Sequence, residues 1–135
     1  MTGPDNATAL TRARVLVIDD SSLVRLYCRD ALEKAGFSVD QAINGIEGLE
    51  KVLAAPFDLV IVDVNMPRMD GISFVRALRG SGGEVASIPA LVVTTEAGLE
   101  DRADARSAGA DFFLVKPVAA ADLVRHAAAL TGFRP

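Results

Sequence analysis

The chain of 135 residues carries one cysteine, one histidine, one tyrosine and no tryptophan. Cys28 therefore has no partner for an internal disulfide, and with His126 as the only histidine there is no Cys/His cluster for zinc or haem. Lys and Arg number 14 against 18 Asp and Glu, a net charge of −4, and the basic residues form no run. Nucleic-acid affinity rests on clustered positive charge, so no nucleic acid is expected as a direct partner. Long hydrophobic runs are missing as well. The apolar stretches Val15–Ile18, Leu59–Val62, Ala90–Val93 and Phe112–Val115 are each four residues, far short of the roughly 20 that cross a bilayer, so no membrane partner is expected either. The opening MTGPDNATALTRAR has no apolar core of the secretory kind, which predicts a cytoplasmic protein. The length present suffices for one domain that buries about two-thirds of its unfolded surface without disulfide or structural metal.

Half of the residues are hydrophobic, and their arrangement alternates. Five runs, VLVI, FSVDQA, LVIV, ALVV and FFLV, read as strands; four are continuously apolar, the pattern of strands buried on both faces. Segments of helical spacing lie between them. Over Ser21 to Ala35, the residues Val24, Tyr27, Cys28, Ala31, Leu32 and Ala35 form one apolar face, with Arg25, Arg29, Glu33 and Lys34 outside it, and Gly36 ends the helix. Further helices are predicted over Gly45 to Ala55, Gly71 to Leu78, Leu99 to Ala108 and Ala120 to Leu130. Strand–helix alternation of this kind predicts a parallel sheet with right-handed crossovers and helices on both faces. Ligands bind such open sheets beyond the carboxyl ends of the strands, where strand order reverses.

At those ends the sequence places Asp19-Asp20, Asp63, Thr94-Thr95 and Lys116-Pro117. Each alone is accounted for by a strand running into a polar loop or by the cap of the next helix. Together they put three carboxylates at one edge of the sheet, where mutual repulsion costs stability unless a cation neutralises it. A hard divalent ion such as Mg²⁺, which takes oxygen ligands and is held by one or two carboxylates plus phosphate oxygens, fits Asp20 and Asp63. A carboxylate can also attack phosphorus, and such a transfer needs little beyond positioning and charge neutralisation. Lys116 offers a compact positive charge and Thr94 a hydroxyl donor for phosphate oxygens.

The segments VLVIDD, VDVNMPRMDG, LVVTTEA and GADFFLVKP, in this order and spacing, resemble the receiver domain of two-component response regulators, over residues 13 to 131. NMPRMDG is similar to the form found in single-domain chemotaxis regulators. The resemblance implies an α/β, flavodoxin-like (βα)5 sandwich with sheet order 2-1-3-4-5, a disordered lead-in over residues 1–12 and a C-terminal tail over 132–135. It implies that Asp63 is the phospho-acceptor, that Asp20 and Asp63 ligate Mg²⁺, that Asp19 acts through metal-bound water, and that the backbone carbonyl of Asn65 is a further ligand; Mn²⁺ can substitute. Thr94 would be the switch hydroxyl and Lys116 the lysine that pairs with the phosphoryl group, with the Lys116–Pro117 bond cis. Phe113 stands where the chemotaxis form has a tyrosine, so its part of the switch would work by packing alone. Asn65 and Glu96 would tune water access to the acyl phosphate and give a short-lived phosphoryl state. The loop Gly80 to Ser87 is expected to be mobile and clear of the site.

The implied partners are a sensor histidine kinase and a downstream protein such as a flagellar motor switch component, with the chain acting as a monomer. Added charge of about −1.5 to −2 would draw Thr94 inward and Phe113 after it. That would switch the face built from the Leu99–Ala108 helix, the Phe112–Val115 strand and the Ala120–Leu130 helix, where Leu99, Arg102, Arg106, Phe113, Val115 and His126 would meet an acidic and apolar partner segment. Cys28 reads as a core thiol, Met66 and Met69 as loop packing, Asp70 as a helix cap and Asp111 as a loop residue. Gly45 and Gly48 lack the dinucleotide spacing. Alternatives are a phosphate sink or relay receiver outside motility, and a phosphatase of the haloacid-dehalogenase type. The latter needs a second Asp two residues beyond its nucleophile; Asn65 stands there and exchanges no proton at neutral pH, so a single-turnover acceptor, not an enzyme, is expected. If the chain is not cut from a longer one, its output would pass through its own surface.

Overall fold

The computed structural model describes residues 12–95 and 99–134, the side chains of 99–101 excepted. Of the expected lead-in, residues 1–11 lie outside the described residues. The elements are β1 (Arg14–Ile18), α1 (Ser22–Lys34), β2 (Ser38–Ala42), α2 (Gly45–Ala54), β3 (Leu59–Asp63), α3 (Gly71–Arg79), a 3₁₀ turn (Val85–Ser87), β4 (Ala90–Thr94), α4 (Leu99–Ala108), β5 (Phe112–Val115) and α5 (Ala120–Thr131). All four strand pairings are parallel, in the order β2-β1-β3-β4-β5. The expected flavodoxin-like architecture is the one observed.

Strand alternation divides the core in two. Val15, Val17, Leu59, Ile61, Leu91 and Val93 pack with Cys28 and Leu32 of α1 and Leu123 and Ala127 of α5. Leu16, Ile18, Val60, Val62, Ala90 and Val92 face the other way, against Val52 of α2, Phe74, Val75 and Leu78 of α3, and Ala105 and Ala108 of α4. The continuous apolar runs exist because β1, β3 and β4 serve both layers at once.

Local chemistry sets the helix ends. The Ser21 hydroxyl accepts from the Val24 amide (3.3 Å), the Asn44 side chain from Glu47 (2.9 Å) and the Asp70 carboxylate from Ser73 (2.8 Å), each satisfying an orphan donor of a first turn. Gly36 follows α1 at φ 102°, a left-handed conformation that favours glycine. Gly45 and Gly48 serve close approach: a Cβ on Gly48 would press on Ile18 and Phe74, and one on Gly45 on Met69.

Two details depart from the sequence reading. Tyr27 is half-exposed, because its hydroxyl donates to the Val118 carbonyl (3.0 Å) at the rim of the helix face and not in the core. The FFLV run is not buried on both faces: among the described residues β5 pairs only with β4, so as an edge strand it leaves Phe112 46% exposed. In the expected tail, Phe133 packs on Phe37 with ring centroids 4.8 Å apart.

The Gly80–Ser87 loop lies at the amino ends of the strands, away from the site. Arg79 holds it by donating to the carbonyls of Ala86 (2.9 Å), Ile88 (2.6 Å) and Gly109 (2.9 Å) and to the Asp111 carboxylate (2.8 Å). Asp111 also accepts from the Ala90 amide (2.8 Å), so this loop residue ties the starts of β4 and β5 together.

Gly71 begins α3 with its amide on the Val64 carbonyl (3.0 Å), and a Cβ there would collide with the backbone carbonyl of Asp63. Gly71→Ala is expected to lose about 2–3 kcal/mol in urea unfolding, the upper range for a single steric clash. Gly80→Ala, where a Cβ meets only ordinary contacts, should stay near the parent. Equal stability of the two variants would contradict this packing.

A candidate phosphoryl and metal site at the strand ends

The fold brings the strand-end residues to one place. Asp19 follows β1, Asp63 and Thr94 close β3 and β4, and Lys116 follows β5. Asp19 and Asp63 are 4% and 6% exposed while Asp20 opens to solvent, and carboxylate oxygens of the three lie within 4.8 Å of one another. Between the two buried acids sits Lys116, its Nζ 3.0 Å from Asp19 Oδ2 and 3.2 Å from Asp63 Oδ1. The other oxygen of Asp19 accepts from the Ser21 amide (2.9 Å). The Lys116–Pro117 bond is cis, as expected, and the Lys116 amide donates to the Thr94 carbonyl (2.6 Å).

One ammonium faces three carboxylates, and the protonation equilibria reflect it. Burial pushes the Asp63 carboxyl above its ordinary value; Lys116 opposes this, while the charges of Asp19 and Asp20 add to it. Burial alone would lower the Lys116 pKa, but its bonds to Asp19 and Asp63 raise it, so the ammonium stays charged. An all-oxygen donor set with more negative charge than its lysine neutralises fits a hard divalent cation.

Thr94 is fully buried, its Oγ1 accepting from Asn65 Nδ2 (3.3 Å). Asn65 itself is exposed. Glu96, the other expected tuning residue, lies outside the described residues. Met66 is buried and Met69 packs on the core, as expected. A cavity of about 570 Å³ adjoins the site, walled by Val24, Tyr27, Cys28, Val118 and Leu123, with Asp19, Asp63 and Lys116 at its polar end. Burial foremost, with the Asp19 charge behind it, pushes the Cys28 thiol up to about 11, which keeps it inert as a core thiol.

Of the expected partner face, Arg102, Arg106, Phe113, Val115 and His126 line one groove of about 460 Å³; the Leu99 side chain lies outside the described ones. Arg102 stands over the half-buried Phe113 ring, 5.4 Å from its centroid. The sequence reading missed Phe112, whose ring lies 4.8 Å from that of His126. Strand alternation could have placed it opposite Phe113, but its exposure depends on β5 being an edge.

With this geometry in view, residues 15–128 match the family described as the response regulator receiver domain. PrrA of Mycobacterium tuberculosis, a transcriptional regulatory protein, is 39% identical over 123 residues, 91% of this chain and 52% of PrrA. The response regulator MprA of the same species is 38% identical over 117 residues, 87% of this chain and 50% of MprA. The chain thus spans about half the length of the curated relatives it matches. Among solved structures, the chemotaxis protein CheY4 of Vibrio cholerae aligns with a TM-score of 0.83 at 36% identity, covering 89% of this chain and 99% of CheY4. A CheY-like receiver domain protein of Methanospirillum hungatei gives 0.84 at 27% identity, over 90% and 95% of the two chains.

A carboxyl whose pKa is raised by folding binds its proton more tightly when folded. Ionisation of Asp63 therefore erodes stability as pH climbs from its ordinary value of 3.8 through the raised native one. In chelator at neutral pH, Asp63→Asn should melt a few degrees above the parent, and the gap should close as pH falls below 3.8. Thermal unfolding across pH checks this; a lower midpoint for the variant at neutral pH would contradict it.

Proposed function

Because this chain belongs to the response regulator receiver domain family of two-component signalling, we propose that Asp63 accepts a phosphoryl group from a phosphohistidine of a sensor histidine kinase. The observation that carries the reading is the Lys116 ammonium held between the buried carboxylates of Asp19 and Asp63. Lys116 holds Asp63 Oδ1, so Oδ2 is the oxygen presented to phosphorus. Its lone pair forms the new P–O bond as the P–N bond breaks, and the electron pair leaves with the imidazole nitrogen, which takes up a proton. Mg²⁺, or Mn²⁺ in its place, would be held by Asp20 and Asp63 with Asp19 and the Asn65 carbonyl behind them, and when bound supplies charge neutralisation for the phosphoryl oxygens. Lys116 pairs with one oxygen of the transferred group, and the buried Thr94 hydroxyl donates to another.

The acceptor acts once per phosphoryl group and is not a turnover enzyme, since Asn65 offers no proton exchange where a phosphatase would have its acid and base. Phosphorylation biases the groove of Arg102, Arg106, Phe113, Val115 and His126 toward a partner-binding state. Likeness to CheY4 over nearly all of that protein supports a chemotaxis output, with a flagellar switch component as the partner. Likeness to PrrA, named a transcriptional regulatory protein, supports a second reading in which the same face serves a transcriptional response. Capture of partners on phosphorylated protein against Asp63→Asn separates the two.

Incubation with a small acyl phosphate and Mg²⁺ should label the chain to about one phosphoryl group and then stop, with labelling abolished in Asp63→Asn. The label should then decay well within hours. Continuous consumption of the phosphodonor would favour a phosphatase instead, and persistent label in Asp63→Asn would refute the acceptor assignment.

A further inference from the structure

Asp19 and Asp20 lie in a short turn between β1 and α1, and the two acids are held differently. The Asp19 carboxylate is fastened at both oxygens, by Lys116 and by the Ser21 amide. Asp20 is exposed, so where its carboxylate points depends on the backbone that carries it. That backbone has its own clamp. Arg25, half-buried one turn into α1, donates from Nη1 to the Asp19 carbonyl (2.6 Å) and from Nε to Gln41 Oε1 (3.1 Å). Gln41 is anchored in turn, because its carbonyl accepts from Lys51 Nζ of α2. The Asp19 amide is bound as well, to the Ala42 carbonyl at the end of β2 (3.1 Å).

The Asp19 carbonyl belongs to the peptide plane that joins Asp19 to Asp20. Pinning it fixes the direction in which the Asp20 side chain leaves the chain. A guanidinium suits this task, since its rigid fork bonds two acceptors on different elements at once and is always charged. It also sets a positive charge against the backbone of an acidic turn. We infer that Arg25 is a positioning residue for the divalent-cation site: through the Asp19 carbonyl, with Gln41 as its brace, it pre-orients Asp20 before the ion arrives. The inference rests on the reading that Asp19, Asp20 and Asp63 hold the cation. Outer residues that orient ligands in this way typically change metal affinity by about 10–100-fold when removed.

Mg²⁺ titration calorimetry, paired with thermal unfolding in chelator, tests this on the full chain. Arg25→Ala should raise the Mg²⁺ Kd about tenfold at temperatures far below its unfolding midpoint. Arg25→Lys should fall between parent and Arg25→Ala, because an ammonium can reach the Asp19 carbonyl but cannot fork to Gln41. Gln41→Ala should weaken binding in the same direction by less, and Arg29→Ala, whose partner is Glu33 on the helix surface, should leave Kd unchanged. A purely structural role would lower the midpoint and leave Kd in place. Parent-like Kd in folded Arg25→Ala, or in both Arg25→Lys and Gln41→Ala should Arg25→Ala not fold, would overturn the inference while leaving the metal site intact. Failure of the parent to bind Mg²⁺ any better than Asp20→Asn would instead overturn the metal-site reading, and this inference with it.

Discussion

The contact of Lys116 with Asp19 and Asp63 is the interaction on which the rest of the site depends. Burying two carboxylates costs free energy that a nearby positive charge and hydrogen bonds offset, and removing one partner of such a group leaves an uncompensated charge inside. Lys116 comes from the turn after β5, Asp19 from the turn after β1 and Asp63 from the end of β3. The three meet only if those strand ends are level, so the sheet register and the ion cluster specify each other. The cluster is also incompletely neutralised, with Asp20 adding a third negative charge at the mouth. A group that brings positive charge there is bound with part of its stabilisation already present as relieved repulsion, which is the physical sense in which the site is prepared for a cation.

The same strand end leads to the far face. Thr94 closes β4, pairs in register with Val115 and accepts from the Lys116 amide through its carbonyl, so Asp63, Thr94 and β5 are linked by backbone as well as by side chains. β5 is the less constrained partner. As an edge strand with Phe112 exposed and Phe113 half-buried beneath Arg102, it has fewer contacts to break than β1, β3 or β4. Elements that move in switching are drawn from the least stable parts of a fold. Phe112 and Phe113 project to opposite sides of the strand, toward His126 of α5 and Arg102 of α4, and a shift of β5 would be felt on both helices.

Much of this was legible in the chain alone, for specific reasons. Asp70 caps its helix through a bond spanning three residues, and such local chemistry is readable from neighbours; the caps at Asn44 and Ser21, which the sequence reading did not assign, follow the same rule. Asp19, Asp63, Thr94 and Lys116 could be placed together because each ends a strand-like run, and parallel strands present all their carboxyl ends on one side. Tyr27 was misplaced because periodicity assigns it to a helix face without saying that its hydroxyl can reach the Val118 carbonyl. The exposure of Phe112 was hidden since an apolar run looks the same in a central strand and at an edge. Arg25 reads as an ordinary surface charge of an amphipathic helix; its bonds to the Asp19 carbonyl and Gln41 join elements 6 and 16 residues apart.

Sequence by itself determined the alternation of strand and helix, the Asp70 cap, and the residue types gathered at the strand ends. These follow from periodicity and from bonds between near neighbours, which a linear chain carries openly. Tertiary structure alone decided which carboxylate Lys116 bonds, which strand is an edge and so free to yield, and which arginine holds the acidic turn. The first two depend on groups brought together across tens of residues, and the third joins Arg25 of a helix to Gln41 of a strand, a pairing that helical periodicity does not carry.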